Sequence, residues 1–212
     1  METIHETLGK YGPVIIENND QVKELQTILR DTTTNSSDFI FYADRLIRLV
    51  VEEGLNLLPF QSHTVTTCSG VSYSGLRFAK GNCGVSLSRS GEAMEKGLRE
   101  CCRAIRIGKL LVEPPPGGGP PKLLYARLPP DVRKRKVLLL YPVMSTGSTV
   151  LIAMKEMLEQ GVPEESVILL TLFCNSQSVE RVKKSHPGMQ IVTSQVCAAV
   201  PQFFSKKYFG TD

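Results

Sequence analysis

The order of apolar and polar residues in the first quarter of the chain indicates two amphipathic helices. The first follows Asp20, a candidate N-cap, and the second begins at residues 36–38 and stops at Gly54. In both, apolar residues return every three or four positions, which places them on one face of a helix. These positions are Val22, Leu25, Ile28 and Leu29 in the first helix and Phe39, Ala43, Leu46, Ile47 and Val50 in the second.

Downstream of these helices, short runs of β-forming residues replace the helical pattern. Residues 64–78 contain two turn signals, Ser69-Gly70 and Ser74-Gly75, and predict a β-hairpin. From residue 84 onward apolar runs alternate with helical patterns, and the run VLLLY at 137–141 is typical of a strand buried on both faces. The predicted strands are 84–89, 107–112, 123–128, 137–141, 167–173 and 190–193, and the predicted helices are 92–105, 148–160 and 178–184.

This alternation predicts an α/β fold, a mostly parallel sheet flanked by helices, with the hairpin as a separate hood region. Residues 1–212 are expected to form one domain, with a helical N-terminal segment at residues 1–56. The low-complexity segment EPPPGGGPPK covers residues 113–122. Because proline stiffens a chain and glycine loosens it, we expect an exposed loop there rather than core.

Composition excludes several classes of function. With 25 basic and 21 acidic residues the net charge is +4, too small for the basic footprint of a nucleic-acid-binding protein. No apolar run approaches the ~18 residues of a membrane span and the start lacks an apolar signal core, so we expect a cytoplasmic or nuclear protein without a membrane partner. The six cysteines form no Cys-x-x-Cys pair, and the three histidines have no ligand spacing, which favours reduced thiols and no metal site.

Candidate chemistry is concentrated where the strand at 137–141 leads through Ser145-Thr146-Gly147-Ser148-Thr149 into a helix. Glycine lets backbone amides approach a ligand, hydroxyls donate hydrogen bonds, and a helix N-terminus carries partial positive charge. The segment follows a strand, at the edge where open α/β sheets place ligands. It therefore predicts a phosphate-binding loop, although it lacks the pattern of a Walker loop. The alternative is a simple helix cap, because Ser and Thr are common there.

Two arginines lie close to predicted strand ends. Arg89 ends the strand at 84–89, and Arg106 starts the next strand. A planar guanidinium suits phosphate oxygens, so two arginines near one sheet edge predict a diphosphate site. The alternative for each arginine alone is a surface ion pair.

Several longer blocks of sequence carry a more specific signal. They are LRDTTT at 29–34, FIFYADRLIRLVVEEG at 39–54, GVSLSRSGEAMEKGLR at 84–99, IRIGKLLV at 105–112, ARLPPDVRKRKVLLLYPVMSTGST at 126–149 and KYFGTD at 207–212. In this order and spacing the chain resembles the uracil phosphoribosyltransferase family, of the type I phosphoribosyltransferase fold, and its animal members above all.

The resemblance implies a reaction of pyrimidine salvage, in which uracil displaces diphosphate from 5-phosphoribosyl 1-diphosphate to give uridine monophosphate. It implies that residues 145–149 hold the 5′-phosphate and that Arg89 and Arg106 face the diphosphate, and it assigns no catalytic side chain. Mg²⁺ would enter bound to the diphosphate. The residues implied for phosphoribosyl-diphosphate binding are Arg89, Arg106, Tyr141, Pro142, Val143, Met144, Ser145, Thr146, Gly147, Ser148 and Thr149.

The resemblance also implies regulation, since some members are activated by GTP, which promotes a tetramer. By position, Arg45 in the second helix and Lys80, Gly81 and Asn82 in a loop would form that GTP site. The alternative is a solvated helix face and a polar turn. A homodimer or larger homo-oligomer is expected from the long apolar pattern of the helix at 39–54 and from the resemblance.

The sequence departs from the family in two places. Tyr141 stands where the family has an aspartate that binds the ribose hydroxyls, and a phenol is uncharged near neutral pH. The family recognises uracil through a segment rich in glycine and aspartate, but residues 201–207 contain neither. By position, the uracil-binding residues would be Pro201, Ser205, Lys206 and Lys207. We therefore expect a degraded base site.

Three hypotheses follow from these matches and departures. The first is a uracil phosphoribosyltransferase with weak or lost activity. The second is a non-catalytic protein on the same scaffold that binds a nucleotide such as GTP and acts through assembly. The third is a phosphoribosyltransferase for another base, stacked on Phe203 and Phe204, for which core packing of the two rings is the alternative.

Overall fold

The structure, a computed structural model, describes residues 12–79, 81–113 and 119–210. Its strands in chain order are β1 (Val14–Ile15), β2 (Phe60–Thr66), β3 (Ser72–Phe78), β4 (Asn82–Ser88), β5 (Arg106–Glu113), β6 (Lys122–Arg127), β7 (Lys136–Leu140), β8 (Val143–Met144), β9 (Val167–Cys174) and β10 (Gln190–Val196). Its α-helices are α1 (Asp20–Arg30), α2 (Ser36–Asn56), α3 (Glu92–Cys101), α4 (Ser148–Glu159), α5 (Ser176–Ser185) and α6 (Phe204–Phe209).

The central sheet has the order β1–β10–β9–β7–β4–β5–β6, and β8 pairs with β9. Its neighbouring strands are parallel except at one end, where β6 runs antiparallel to β5. This confirms the predicted α/β fold with a mostly parallel sheet. The parallel strands all end at one edge of the sheet, here called the carboxyl edge, and start at the opposite, amino edge.

Helices cover both faces of this sheet. On one face α1, α2, α3 and α6 pack into an apolar cluster with alternate residues of the central strands, and on the other face α4 and α5 do the same. Strand β9 is buried at every residue, as is the stretch from Val137 to Leu140 in β7. The prediction that the run at 137–141 is buried on both faces is therefore confirmed for its strand, while Tyr141 lies just beyond it and is half-buried.

The start of α1 and the end of α2 differ from the predicted boundaries, because hydrogen bonds and packing of individual residues determine them. Asn19, not Asp20, caps α1, because its side chain accepts a hydrogen bond from the Val22 amide at 3.0 Å. Gly54 does not stop α2, which continues to Asn56. A Cβ at Gly54 would overlap the side chain of Leu170 in β9, so this glycine allows the helix to lie close to the sheet.

The predicted hairpin is present as a separate two-stranded sheet of β2 and β3. Its turn falls at the first signal, where Gly70 has a φ of +79°, while Ser74 and Gly75 lie inside β3. Both strands expose most of their residues, including the apolar side chains of Tyr73 and Leu76 at 62% and 71%. The hairpin therefore carries an apolar surface that the rest of the described chain does not cover.

The short elements β1, β8 and α6 were not predicted from the sequence. Strand β1 lies within the stretch expected to be mainly helical, β8 precedes the predicted phosphate-binding loop, and α6 overlaps the predicted uracil segment. The predicted helix at 92–105 ends already at Cys101, and β5 begins at Arg106. All six cysteines are free. Within the described residues, no helix has the length and apolar character needed to cross a membrane.

Candidate functional site

The predicted phosphate-binding loop lies at the carboxyl edge of the sheet, between β8 and α4. Gly147 immediately precedes α4 and has a left-handed conformation with a φ of +75°, which glycine adopts without strain. A Cβ there would lie 2.9 Å from Cγ2 of Val182 and 3.3 Å from the carbonyl oxygen of Ser178, both in α5. Glycine is therefore required here by its backbone conformation and by close packing.

Hydroxyl groups and amides converge in this loop. The Ser148 amide donates to Oγ1 of Thr146 at 3.3 Å, and the Thr146 hydroxyl donates to Oγ of Ser148 at the same distance. The amides in the first turn of α4 have no acceptor within the helix, and they carry partial positive charge. Thr146 is exposed, so the loop opens to solvent with donors that suit an anion.

Three residues of α5 and its N-cap bind backbone carbonyls of the loop. Ser178 donates from Oγ to the carbonyl of Met144 at 3.1 Å, Asn175 donates from Nδ2 to the carbonyl of Ser145 at 2.7 Å, and Arg181 donates from Nη1 to the carbonyl of Thr146 at 3.3 Å. These three residues were not predicted from the sequence. Their spacing of three, at the start of a helix that follows a buried strand, is the signal that would have placed them on one helix face.

Arg89 lies at the same edge as the loop, immediately after β4, which pairs with β7. A Cβ at Gly91 would overlap the carbonyl oxygen of Leu140, so this glycine lets the segment after Arg89 pack against the end of β7. The Arg89 side chain is 75% exposed, and its Nη2 lies 3.2 Å from Oε1 of Glu113. The predicted placement of Arg89 at the carboxyl edge is therefore confirmed, with Glu113 as its present partner.

Arg106 lies at the opposite edge, because it starts β5 and pairs in register with Cys83 near the start of β4. The Ser88 end of β4 is five residues farther along, about 17 Å at ~3.3 Å per residue. The guanidinium of Arg106 lies 3.6 Å from Asp131. The expectation that Arg89 and Arg106 share one sheet edge is therefore wrong, since starts and ends of parallel strands lie at opposite edges.

A polar cluster lies beside the segment that carries Arg89. Ser88 donates from Oγ to Oε1 of Glu92 at 3.0 Å, and Nζ of Lys109 donates to the same oxygen at 3.0 Å and lies 3.3 Å from Oε1 of Glu95. The hydrogen bond from Lys109 holds the pKa of Glu92 below its ordinary value, and Glu92 raises the pKa of Lys109. These contacts fix the backbone next to Arg89.

Tyr141 and Pro142 join β7 to β8. The Tyr141 amide donates to the carbonyl of Leu170 at 3.1 Å, and the half-buried side chain packs against the apolar cluster under α4 and α5. The Pro142 carbonyl accepts from the amide of Leu172 at 2.8 Å and from the hydroxyl of Thr171 at 3.2 Å. An apolar environment suits a phenol ring better than a carboxylate, which agrees with the departure seen in the sequence.

The residues predicted for uracil lie in α6 and just before it. Pro201 is buried, Ser205 is half-buried and Lys206 is exposed. The ammonium of Lys207 donates to three backbone carbonyls between α1 and α2, those of Asp31 at 3.3 Å, Thr32 at 2.7 Å and Thr34 at 2.6 Å. These contacts occupy the donors of the Lys207 side chain, which joins two segments of the chain, and the assignment of Lys207 to the base stays a prediction.

The two phenylalanines of this region pack inward. Phe204 is 1% exposed, and its ring lies 5.4 Å from that of Phe39 between centroids. Phe203 is half-buried, 6.2 Å from the same ring. Core packing is therefore confirmed for Phe204, and the two rings do not form an open platform on which another base could stack.

The residues assigned by position to GTP fall at two places in the fold. Arg45 is half-buried in α2 with its guanidinium 5.8 Å from the centre of the Tyr42 ring. Gly81, with a φ of +102°, precedes β4, and Asn82 starts it at the amino edge. Lys80 lies outside the described residues. Among the residues that are described, no hydrogen bond or ion pair joins Arg45 to Gly81 or Asn82, so a GTP site here stays a prediction.

Comparisons with known proteins agree with the resemblance drawn from the sequence. The family model described as uracil phosphoribosyltransferase matches residues 16–202. The chain is 50% identical over 213 residues to the "Uracil phosphoribosyltransferase homolog" of Danio rerio, covering 100% of this chain and 83% of that protein. It is 42% identical over 208 residues to the "Uracil phosphoribosyltransferase" of Dictyostelium discoideum, covering 94% of this chain and 96% of that one.

A solved structure extends this similarity to the fold. The AQ2163 protein from Aquifex aeolicus has a TM-score of 0.74, with 86% of each chain covered at 18% identity. The chain spans 63% of the length of the relatives from Bos taurus and Homo sapiens that it matches.

Proposed function

The chain belongs to the uracil phosphoribosyltransferase family, and from that premise we propose that it binds 5-phosphoribosyl 1-diphosphate at the carboxyl edge of its sheet. One observation carries this proposal: the loop at 145–149 combines a left-handed Gly147 with the N-terminus of α4, at the same edge as Arg89. The loop would hold the 5′-phosphate through amides and hydroxyls, and Arg89 would bind the diphosphate after release from Glu113.

We propose that turnover of uracil to uridine monophosphate is weak or lost. In the family reaction the protein positions the base against the ribose and stabilises the departing diphosphate. Here Tyr141 offers the ribose a phenol in place of a carboxylate, and losing a charge-assisted hydrogen bond costs about 1.5–3 kcal/mol. Residues 201–207 offer the base neither glycine nor aspartate, and Lys207 is bound to the chain itself.

Mg²⁺ is proposed to enter with the diphosphate, whose oxygens would supply most of its ligands. The residues at this place fit such an ion, since Glu113 presents a carboxylate beside Arg89 and Mg²⁺ prefers oxygen ligands. When bound, the ion would neutralise charge on the leaving group. The chain's own part is to hold the diphosphate with Arg89, whose backbone is fixed by the cluster of Ser88, Glu92 and Lys109.

The second candidate function is non-catalytic assembly, with GTP as a regulatory ligand at Arg45 and residues 80–82. The exposed apolar hairpin favours the assembly part of this proposal. Tyr73 and Leu76 are more than half exposed, and isolated two-stranded sheets are marginally stable in water. A second copy of the chain would cover this surface in a homodimer or larger oligomer. The location in the cytoplasm or nucleus stays a prediction.

The test is calorimetric titration with phosphoribosyl diphosphate and Mg²⁺, followed by an assay of radiolabelled uracil conversion with and without GTP. We expect binding of phosphoribosyl diphosphate with very slow or no formation of uridine monophosphate. Rapid turnover by the unmodified chain would refute the degraded base site. Absence of any binding of a phosphate-bearing ligand would refute the proposed site itself.

A further inference from the structure

One face of the α5 region contacts the phosphate-binding loop through every third residue. Asn175 and Arg181 donate hydrogen bonds to the carbonyls of residues 145 and 146 at 2.7 and 3.3 Å. The single hydroxyl hydrogen of Ser178 has two acceptors within reach, the carbonyl of residue 144 at 3.1 Å and that of Asn175 at 2.8 Å. Asn175 is fixed in turn, because its Oδ1 accepts from the Ser178 amide at 2.7 Å and caps α5. The loop is therefore held by a rigid helix and not by its own contacts alone.

These contacts determine which way the loop amides point. In a trans peptide the carbonyl and the following N–H point in opposite directions. Since the carbonyls of residues 144–146 are bound by the α5 region, the amides of Ser145, Thr146 and Gly147 point away from the groups that bind these carbonyls. In the proposed function these adjacent amides donate to the phosphate.

Arg181 adds a positive charge, which Asn175 and Ser178 do not supply. The loop Ser145-Thr146-Gly147-Ser148-Thr149 contains no charged residue. Arg181 is exposed, and its Nη1 also lies 3.1 Å from Oγ of Ser148, a hydroxyl of the loop. Among the ion pairs of the described ranges none involves Arg181, so its charge faces neutral groups at the mouth of the loop.

We propose that this face of α5 is part of the phosphate site. Asn175 and Ser178 act as positioning residues that orient the loop amides, and Arg181 binds the phosphate group directly. The inference rests on the proposed function, which puts a phosphate at this loop, and it names the source of the positive charge that the loop lacks. An arginine fork also adds two donors to those of the backbone.

The test for Arg181 uses titration of the protein with ribose 5-phosphate at low and high salt, with ribose as the unphosphorylated control. Arg181→Gln is expected to weaken binding at least about tenfold at low salt, the range for a charge-assisted hydrogen bond, and to reduce the salt dependence. Arg181→Lys is expected to recover part of both. Lys184→Gln removes the same charge one turn farther along α5 and is expected to bind as the unmodified chain does.

Ser178→Ala separates orientation from charge. It removes the donor to the Met144 carbonyl, so we expect several-fold weaker binding at every salt concentration with the salt dependence retained. Binding by Arg181→Gln that equals the unmodified chain at both salt levels would overturn the role of Arg181 while leaving the proposed function intact. If the unmodified chain itself binds no ribose 5-phosphate and no phosphoribosyl diphosphate, both proposals are wrong.

Discussion

Gly147 shows how a single residue restricts which side chains the proposed phosphate-binding loop can carry. Its φ of +75° disfavours any β-branched side chain, and the space above it is filled by Val182 and the Ser178 carbonyl. Gly161 offers a contrast, since it has a φ of +79° but a Cβ there would lie 3.7 Å from its nearest neighbour, in the side chain of Arg133. The two glycines share a backbone conformation and differ in their distance from the site.

Gly147→Val is expected to weaken binding of phosphoribosyl diphosphate at least about tenfold, and more than Thr146→Ala, because it shifts the backbone amides and not one hydroxyl. Gly161→Val imposes similar strain away from the loop and is the control. Calorimetric titration of folded variants measures the effect. Equal affinity of Gly147→Val and Gly161→Val would show that the loop does not bind the ligand.

The pKa of Glu92 predicts a residue-level dependence on pH. Because the hydrogen bond from Lys109 lowers this pKa below its ordinary value of 4.5, the stabilisation is present above pH 4.5 and is lost as the pH falls through the lowered value. Glu92→Gln should therefore flatten the fall in the free energy of unfolding below pH 4.5. Urea unfolding between pH 3 and 7 measures this, and an unchanged pH profile would contradict it.

Residues close together in sequence could be assigned, and residues joined only by the fold could not. The loop at 145–149 and Arg89 were predicted because each follows a strand within a few positions. Asn175, Ser178 and Arg181 contact carbonyls 30–35 positions away, so nothing local connects them to the loop. Arg106 was assigned to the wrong edge because an arginine suits a phosphate at either end of a strand. Only its position at the start of β5, and not at the end, places it at the amino edge.

At the scale of elements, period and burial predicted the strands and the longer helices. Elements of two to six residues, such as β1, β8 and α6, are too short for a period to be recognised. Gly54 was interpreted as a helix stop because its role, contact with Leu170 across the helix–sheet interface, depends on packing. The sequence therefore predicted the sheet and the helices that cover it better than the short elements and the close helix–sheet contacts.

The segment at residues 202–206, which includes the first residues of α6, is the element on which recovery of catalysis should depend. Replacing residues 202–206 with the glycine- and aspartate-containing segment of the family, together with Tyr141→Asp, is expected to raise uridine monophosphate formation more than either change alone. The reason is that uracil and phosphoribosyl diphosphate must be bound at the same time for the reaction to occur, and each change improves the binding of one of them. Lys207 is retained because it binds the carbonyls of residues 31, 32 and 34.

Conversion of radiolabelled uracil measures this effect, and Tyr141→Phe is the matched control, because it changes the same position without adding a carboxylate. A combined variant no faster than its better single change would contradict the idea that two separate losses limit the reaction.

At the scale of the whole molecule, the hairpin predicts self-association. Sedimentation is expected to show a species above 23.4 kDa at micromolar concentration. Leu76→Lys, which adds charge to a side chain 71% exposed on the hairpin, should shift the equilibrium towards monomer. Leu124→Lys, at a side chain 60% exposed on β6, is the control. A monomer at all concentrations, with and without GTP, would contradict this assignment.

The contacts of Lys207 and Tyr208 also have a consequence for synthesis. Lys207 binds carbonyls 173–176 positions earlier, and the Tyr208 hydroxyl donates to Asp44 at 2.6 Å. At roughly 5–20 residues per second, the ribosome needs about 9–35 s between making Thr34 and making Lys207. During that interval Phe39 lacks its packing partner Phe204. The apolar cluster on this face of the sheet is therefore completed only after α6 has been synthesised.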